Sequence, residues 1–528
     1  MKRALLALIA VCLGAVFFLL AGRSGTYARP EPGEITIGMN LSAVTYWSRE
    51  LPFVDVAKAS MPWITQNCRD VPGGKNPWDT GMLEHIPLDA DGYPLSLPVE
   101  VEGAEAPQAV AALMCRTGDG RYPAGRYVCL YDGRGEIVFS LDALVHNSRP
   151  GRIELDVTPT SAGILMKVLR SEKGNHVRNI RVLMPGFDEG GGSQTFNPAF
   201  VKRLEPFKVI RFMEWQRTND SCVQDWDRRT TPSSHTQAGR QGVAIEHMIE
   251  LCNLLGADPW FCIPHQASED YVRRFARLVR DRLHPGRKVY VEYSNEVWNR
   301  MFSQYAWVES HGDPALSHAR KYAARAGKAF ALWHEEFGDG KARIVRVASG
   351  QQANPRIMEE IVEFLGPAGM DAIATTGYFG LGTKGHEALQ SLGSKATALD
   401  VMRCVSEHMR VVEIPALRAH ASLASRAGVR YITYEAGQSL VPSPPGTAPE
   451  YLGALWAAQK TPEMYRAYRE MLSSLKGMNI DLFMAFVLVS AQQTRYGSWG
   501  HLEYLDEPLS DAPKYRALLD EMGISSGK

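Results

Sequence analysis

Strand-like and helix-like segments alternate along most of this 528-residue chain. Short runs rich in β-branched and aromatic residues are each followed by a longer segment with apolar residues at helical spacing. This alternation is typical of an α/β fold in which a helix connects each strand to the next parallel strand. Eight strands can be counted, which predicts a closed (β/α)8 barrel, the TIM-barrel fold. The predicted strands are 35–40, 209–215, 259–264, 289–295, 343–349, 372–377, 430–435 and 482–489, and the predicted helices are 51–64, 243–255, 269–283, 315–337, 355–365, 398–428 and 463–478.

Residues 91–188 interrupt the alternation. They contain short runs of alternating apolar and polar residues, separated by Gly, Asp and Pro, a pattern typical of an antiparallel β-sandwich. The sequence therefore predicts an all-β sandwich domain inserted between the first and second barrel strands. Residues 34–90 and 189–525 would form the two parts of the barrel, and the glycine-rich run 190–193 predicts a hinge between the insertion and the second part.

The first 28 residues are not expected to belong to the fold. Lys2 and Arg3 precede an uncharged apolar run, 4–21, and 26–28 is a passable small-residue cleavage site. This pattern predicts a signal peptide and an exported protein, periplasmic or secreted. The apolar run is nearly long enough to cross a membrane, so an uncleaved N-terminal anchor is the alternative.

Charge and cysteine content exclude several function classes. Lys plus Arg and Asp plus Glu both number 58, so the chain has no overall basic charge of the kind that attracts nucleic acid. Seven cysteines lie beyond the N-terminal segment, and no pair has the spacing of a zinc site. Cys115 and Cys129 flank a glycine-containing stretch and could form a disulfide bond in an oxidising compartment. We expect most of the others to be buried thiols and predict no metal or cofactor.

Two predicted strands end in a glutamate. The segment KVYVEYSNEVWN, 288–299, runs from a strand into Asn295 and Glu296, and the strand 430–435 ends at Glu435. The carboxyl ends of barrel strands meet at one face, where such enzymes keep their catalytic residues. A glutamate at a strand end is usually only a solvated charge, and an Asn-Glu pair alone is a weak motif. The combination of both glutamates, on the fourth and seventh of eight strands, favours a catalytic pair of carboxyl groups.

This combination resembles clan A, the cellulase-like superfamily of retaining glycoside hydrolases. The resemblance covers the barrel and implies that Glu296 is the acid/base, that Glu435 is the nucleophile and that Asn295 binds the sugar 2-hydroxyl. It also implies that Arg211, in the second strand, keeps Glu435 ionised and that Tyr378, after the sixth strand, contacts the nucleophile. A salt bridge from Arg211 to Glu214 is the alternative for that residue.

Aromatic and histidine side chains near strand ends are candidates for sugar binding. Flat rings suit the apolar C–H faces of pyranoses, and each of them could instead belong to the core. His265 could reach a sugar hydroxyl, but a lone histidine is more often structural. The aromatic candidates are Trp215, Trp260, Trp298 and Trp499.

The sequence thus predicts an exported enzyme that cleaves β-glycosidic bonds of a polysaccharide or oligosaccharide by double displacement. The carboxyl groups of Glu296 and Glu435 should lie about 5 to 5.5 Å apart, with Glu292 outside the reacting position. A non-catalytic carbohydrate-binding protein of polysaccharide assembly and a transglycosylase are the alternatives. The inserted domain could bind carbohydrate or simply pack on the barrel.

Overall fold

The computed structural model describes residues 33–188 and 194–524. The predicted signal or anchor segment, 1–28, and the predicted hinge, 190–193, lie outside these residues. Sixteen strands are assigned within the described ranges. They are β1 Thr36–Asn40, β2 Ile64–Asn67, β3 Gln108–Met114, β4 Gly125–Asp132, β5 Gly135–Leu141, β6 Ala143–Arg149, β7 Arg152–Val157, β8 Ile164–Ser171, β9 Arg178–Leu183, β10 Val209–Arg211, β11 Asp258–Ile263, β12 Val289–Tyr293, β13 Ile344–Ser349, β14 Ala372–Gly380, β15 Arg430–Ser439 and β16 Leu482–Ala485.

Eight parallel strands close into the predicted barrel, in the order β1-β10-β11-β12-β13-β14-β15-β16. These strands are almost entirely buried, as expected for a parallel sheet covered by helices on the outside and filled by side chains on the inside. The (β/α)8 fold is therefore confirmed. Because all eight strands run in the same direction, their carboxyl ends share one face of the barrel.

Helices follow most of the barrel strands. They are α1 Pro198–Leu204, α2 Ile245–Leu255, α3 Glu269–Arg282, α4 Ser303–His311, α5 His318–Phe337, α6 Pro355–Gly369, α7 Gly382–Leu392, α8 Ala398–His408, α9 Ile414–Ala427, α10 Leu452–Ala458, α11 Pro462–Gly477 and α12 Pro513–Glu521. The segment predicted as one helix over 398–428 is interrupted by a π-helical turn, Met409–Glu413, between α8 and α9. Within the described ranges, no helix combines the length and apolarity needed to cross a membrane.

Two four-stranded antiparallel sheets lie between β1 and β10 in the chain. Their strand orders are β2-β3-β8-β5 and β6-β7-β4-β9. Strand β2, Ile64–Asn67, precedes residue 91, so the sheets begin earlier than the segment marked by the alternating pattern. Cys115 follows β3 in one sheet and Cys129 lies in β4 of the other, and both are buried free thiols, so the suggested disulfide is not formed.

The predicted helix over 51–64 is wrong. This stretch contains a single 3-10 turn, Val56–Ala59, and its apolar residues are core residues of an irregular segment. The carboxylate of Asp55 accepts hydrogen bonds from the backbone N–H of Ala57 and from that of Val182 in β9. Tertiary contacts to the antiparallel sheet therefore replace the helical hydrogen bonds that the apolar pattern predicted.

Candidate active site

Arg211 is the centre of a buried charge network at the carboxyl end of β10. Its guanidinium is fully buried and donates to Glu292 through Nε (3.2 Å) and Nη2 (2.9 Å), and to Glu435 through Nη1 (2.9 Å). Within the described part of the chain its ion pairs are these two, and Glu214, the alternative partner, is not among them. A buried guanidinium of this kind offsets the cost of burying carboxylates around it.

Two asparagines complete the coordination of Arg211. Its Nη1 also donates to Asn40 Oδ1 (3.1 Å), at the end of β1, and its Nη2 donates to Asn295 Oδ1 (2.8 Å). Asn40 also connects Arg211 to β15 and β16, because its Nδ2 donates to the backbone carbonyls of Tyr434 and Ala485. The ends of four neighbouring or facing strands are thus connected through one side chain.

Glu296 lies in a sharply bent segment after β12. Ser294 and Glu296 have φ angles of +58° and +41°, a region that residues with a Cβ seldom occupy. Such backbone conformations persist where surrounding contacts hold them, and they concentrate at functional sites. The carboxyl group of Glu296 accepts hydrogen bonds from Asn299 Nδ2 (3.0 Å) and from the hydroxyl of Tyr434 (3.2 Å).

A β-bulge places two consecutive residues of β15 in the site. In the pairing of β14 with β15, Thr375 is opposite Thr433 and Thr376 is opposite Glu435, so Tyr434 is an extra residue. Side chains of adjacent strand residues normally point to opposite faces, and a bulge changes that direction. The Tyr434 hydroxyl reaches Glu296 while Glu435 reaches Arg211, and β15 continues beyond Glu435 to Ser439.

The two candidate catalytic carboxyl groups differ in their partners. Glu435 accepts from Arg211 and, through its other oxygen, from the Tyr378 hydroxyl (2.9 Å). Burial raises the pKa of Glu435 to about 7, against the opposing effect of Arg211 and with a further increase from the charge of Glu296. Burial likewise raises the pKa of Glu296. Both carboxyl groups therefore favour the protonated form more than an exposed glutamate does, and of the two the negative charge is favoured on Glu435 because the guanidinium and the tyrosine donate to it.

Glu292 is a buried partner of Arg211 on β12. Its Oε2 accepts from Arg211, from Trp260 Nε1 (2.9 Å) and from the thiol of Cys262 (3.5 Å). The carboxyl group is completely enclosed in the barrel interior. This position agrees with the expectation that Glu292 lies outside the reacting position, and it makes Glu292 a counter-ion that positions Arg211.

Two of the tryptophans predicted to bind sugar, Trp215 and Trp260, are core residues. Trp215 is 1% exposed and packs against Phe53 and Phe200, because the chain turns after Arg211 instead of continuing as a strand to residue 215. Trp260 is 0% exposed, stacks on Tyr290 inside the barrel and donates to Glu292. Neither ring has a face open to a substrate, so both predictions are corrected here.

The prediction that His265 binds a sugar is also corrected. The residue is 1% exposed, and its ring packs edge-on against Trp307. Burial lowers the pKa of His265 to about 4, so the ring is neutral. Its backbone carbonyl accepts from the Tyr293 hydroxyl, which gives the residue a structural role beneath the surface.

Trp298 and Trp499 are partly exposed beside the carboxyl pair. Trp499 lies 5.4 Å from Tyr378 between ring centroids, and Tyr378 is the residue that donates to Glu435. Trp298 lies between two cavities of about 460 and 440 Å3, and the first of these also contains Asn299, the hydrogen-bond partner of Glu296. The structure therefore retains these two tryptophans as candidate sugar platforms.

Several residues of the network were not predicted from the sequence. Asn40 ends the first predicted strand, so the rule used for the glutamates would have selected it. Tyr434 gave no signal, because a bulge cannot be read from the strand pattern. Asn219 accepts from Asn295 Nδ2 (3.1 Å) and from Gln304 Nε2 (2.8 Å), and it lies in a loop without a recognisable motif.

Comparisons with known proteins give a fold-level likeness only. No family model and no curated protein matches the chain. Solved structures that it resembles include the GH51 arabinofuranosidase from Xanthomonas axonopodis pv. citri (13% identity, 57% of this chain and 62% of that chain, TM-score 0.37) and a GH10 protein from Paenibacillus barcinonensis (13% identity, 63% and 93%, TM-score 0.36). A family 1 β-glucosidase from Thermotoga maritima is 11% identical over 61% of this chain and 85% of that chain, with a TM-score of 0.33. This chain thus spans less than two thirds of the arabinofuranosidase. At these scores the likenesses carry no argument about activity, and the (β/α)8 fold rests on the strand topology given above.

Proposed function

We propose that this protein is an exported retaining glycoside hydrolase that cleaves β-glycosidic bonds of a polysaccharide or oligosaccharide. The observation that carries the proposal is the asymmetry of the two carboxyl groups. Glu435 has a guanidinium and a tyrosine hydroxyl as donors, whereas the hydrogen bonds of Glu296 within the described residues come from neutral groups only. One group is suited to stay ionised as a nucleophile and the other to hold a proton as an acid.

The first step of the proposed reaction forms a glycosyl-enzyme. A carboxylate oxygen of Glu435 attacks the anomeric carbon, the bond to the glycosidic oxygen breaks, and Glu296 transfers its proton to that oxygen. In the second step Glu296, now ionised, takes a proton from water. The resulting hydroxide attacks the anomeric carbon and Glu435 leaves, so the configuration is retained.

The neighbouring residues have supporting roles in this proposal. Arg211 and Tyr378 favour the charge on Glu435 before attack and after its departure. Asn295, whose amide is oriented by Arg211 and Asn219, would bind the 2-hydroxyl of the reacting sugar. Trp298 and Trp499 would stack on neighbouring sugar rings.

The domain organisation and export belong to the same proposal. The two antiparallel sheets would form one sandwich domain inserted into the barrel, and the predicted N-terminal signal or anchor would deliver the protein to an extracytoplasmic glycan. Detection of the protein in periplasmic and culture fractions, with N-terminal sequencing, tests the export prediction. Finding the full chain in the cytoplasm would contradict it.

The two glutamates are tested separately with aryl glycosides and azide. Glu296→Ala should lose ~10² to 10⁴ in rate on substrates whose leaving group needs a proton and little on activated aryl glycosides. Azide should then give a product of retained configuration. Glu435→Ala should be inactive with every leaving group, and azide in the vacated space should give the inverted glycosyl azide.

The matched control is Glu363→Gln, an exposed carboxylate on α6 that should leave activity unchanged. Identical responses of the two catalytic variants to leaving group and azide would contradict the assigned roles. Products dominated by transfer to an added sugar rather than to water would identify the protein as a transglycosylase.

A further inference from the structure

A cavity of about 440 Å3 lies beside the carboxyl pair, at the carboxyl ends of β14 and β15. We call it the Glu413 cavity, and its wall includes Trp298, Gln352, Tyr378, His408 and Glu413. Its volume is within the range of ligand-binding clefts, and it combines aromatic surface with a few convergent polar groups. The proposed mechanism does not use Glu413, His408 or Gln352.

The local backbone directs Glu413 into this cavity. Glu413 is the last residue of the π-helical turn between α8 and α9, a kind of interruption that is frequent at functional sites. Its carboxylate contacts His408 Nε2 (3.2 Å) and accepts from Gln352 Nε2 (2.5 Å). Gly382 makes room for the histidine, because a Cβ at that position would lie 2.4 Å from the ring.

Gln352 connects Glu413 to the candidate nucleophile. Its Oε1 accepts from Thr376 Oγ1 (2.8 Å) and its Nε2 also donates to the backbone carbonyl of Tyr378 (3.2 Å). The hydroxyl of Tyr378 donates to Glu435. A molecule that contacts Glu413 would therefore lie next to the sugar that reacts with Glu435.

The wall of the Glu413 cavity contains an acidic side chain and no basic Lys or Arg side chain among the described residues. The acidic side chain is that of Glu413. Burial lowers the pKa of both His386 and His408, so both rings are neutral at neutral pH. An acidic group that entered would find no cation to pair with and would face the carboxylate of Glu413.

We infer that the Glu413 cavity is a subsite for a neutral sugar residue of the substrate, that Glu413, held by Gln352, binds its hydroxyl groups, and that Glu413 excludes a uronic acid there. This inference rests on the proposed glycosidase function and adds a substrate class to it. Glu413 is accordingly a specificity-determining residue, and the substrate is a glycan whose residue next to the cleaved bond carries no carboxylate.

The test compares two oligosaccharides of the same length and linkage, the β-1,4-linked hexamers of glucose and of glucuronic acid. Binding is measured by titration calorimetry in a Glu435→Ala background, which prevents turnover. The buffer is roughly one pH unit above the pKa of Glu413, which burial raises to about 7, so that its carboxylate is ionised. Glu413→Gln keeps the size of the side chain and one acceptor oxygen, replaces the other oxygen with an NH2 donor, and removes the charge. Glu407→Gln, an exposed carboxylate on α8, is the matched control.

We expect the glucose hexamer to bind at least about tenfold more tightly than the glucuronic acid hexamer, and Glu413→Gln to reduce that ratio by about tenfold. Glu407→Gln should leave the ratio unchanged. The inference would be overturned if the ratio in the Glu413→Gln protein equalled that of the parent. It would also be overturned if the parent bound the glucuronic acid hexamer more tightly than the glucose hexamer. If the protein hydrolyses aryl glycosides but binds the two hexamers equally, only this inference is overturned. If it neither hydrolyses aryl glycosides nor binds either hexamer, the proposed function is overturned as well.

Discussion

Glu435 and Glu50 are both glutamates that the barrel buries near the carboxyl ends of its strands, and only Glu435 has a cationic partner. Arg211 donates to Glu435 directly. Glu50 lies in the loop after β1, where its Oε1 accepts from the backbone N–H groups of Ser42 (2.9 Å) and Val489 (3.4 Å), and its Oε2 has no hydrogen-bond partner within the described residues. The barrel thus contains one buried carboxyl group with a cationic partner, Glu435, and one without a cationic partner, Glu50.

The two carboxyl groups also differ in what opposes the effect of burial on their pKa. Burial raises the pKa of Glu50 to about 8, and the backbone N–H groups oppose the shift only partly. Burial and the nearby charge of Glu296 both raise the pKa of Glu435. Because Arg211 opposes them, that pKa reaches only about 7. A buried carboxyl group can therefore be structural when it is protonated, whereas one that must act as a nucleophile requires a cation beside it.

The largest expected effect follows from removing the cation. Arg211→Met would leave Glu292 and Glu435 buried without a counter-ion, and breaking a buried ion pair in this way costs ~3 to 5 kcal/mol. The free energy of unfolding, measured with urea, should fall by that amount near neutral pH. Arg320→Met, which removes an exposed arginine with a surface ion pair, should change it by less than about 1 kcal/mol. Similar losses in the two variants would contradict the contrast between Arg211 and a surface charge.

The next effect concerns the carboxyl group without a cation. The folded protein keeps the proton of Glu50 up to a pKa of about 8, while the unfolded chain releases it from about 4.5. The folded state then binds more protons than the unfolded state between these values, so the contribution of Glu50 to stability falls as the pH rises through this window. Glu50→Gln removes this loss and keeps the Oε1 acceptor.

The unfolding free energy of Glu50→Gln should therefore increase relative to the parent as the pH is raised from about 5 to about 8, by up to roughly 1.4 kcal/mol per pH unit. Urea titrations of both proteins across this range measure the difference. If the difference in unfolding free energy between the two proteins stayed constant over the whole pH range, Glu50 would have the same pKa in the folded and unfolded protein. That result would contradict the contrast between Glu50 and Glu435.

A smaller effect is expected when the tyrosine on Glu435 is changed. The Tyr378 hydroxyl donates to the ionised form of Glu435 and lowers its pKa. Tyr378→Phe should raise that pKa and move the acidic limb of the pH profile of kcat/KM to higher pH, by roughly half to one unit for one hydrogen bond. A shift to lower pH would contradict Glu435 as the group that must be ionised.

The smallest effect is expected at the bulge. The Tyr434 hydroxyl donates to Glu296 and favours its ionised form. Tyr434→Phe should raise the pKa of Glu296 and move the alkaline limb of the same profile to higher pH, by at most about one unit. If only the acidic limb moved, Glu296 would be the group that must be ionised, and the roles assigned to the two glutamates would be reversed.

The strand-end positions were predictable because a parallel barrel gathers the carboxyl ends of its strands at one face. Asn295, Glu296 and Glu435 could therefore be placed near one another from periodicity and strand order, whereas Arg211, inside its predicted strand, was selected only through the resemblance to clan A. Tyr434 could not be placed there, because its direction depends on a one-residue bulge in the pairing of β14 with β15.

The incorrect aromatic predictions have a different physical origin. A tryptophan near a strand end looks the same in the sequence whether its ring faces a groove or the helix layer. Trp215 turned inward because the chain leaves β10 after Arg211, and Trp260 faces the barrel interior. Likewise, the apolar run after β1 resembled a helix but is held by contacts to β9, which only the folded chain brings close.

The central claim is that Glu435 becomes covalently bonded to the sugar. The most direct test is to incubate the protein with a panel of 2-deoxy-2-fluoro glycosides that carry activated leaving groups, and to map any adduct by mass spectrometry of peptides. The fluorine slows both steps, and the activated leaving group lets the first proceed faster than the second. We predict a single glycosyl adduct on Glu435 that is absent from the Glu435→Ala protein. An adduct on Glu296 or Glu292, or hydrolysis of a glycoside substrate with inversion and without any adduct, would contradict the account.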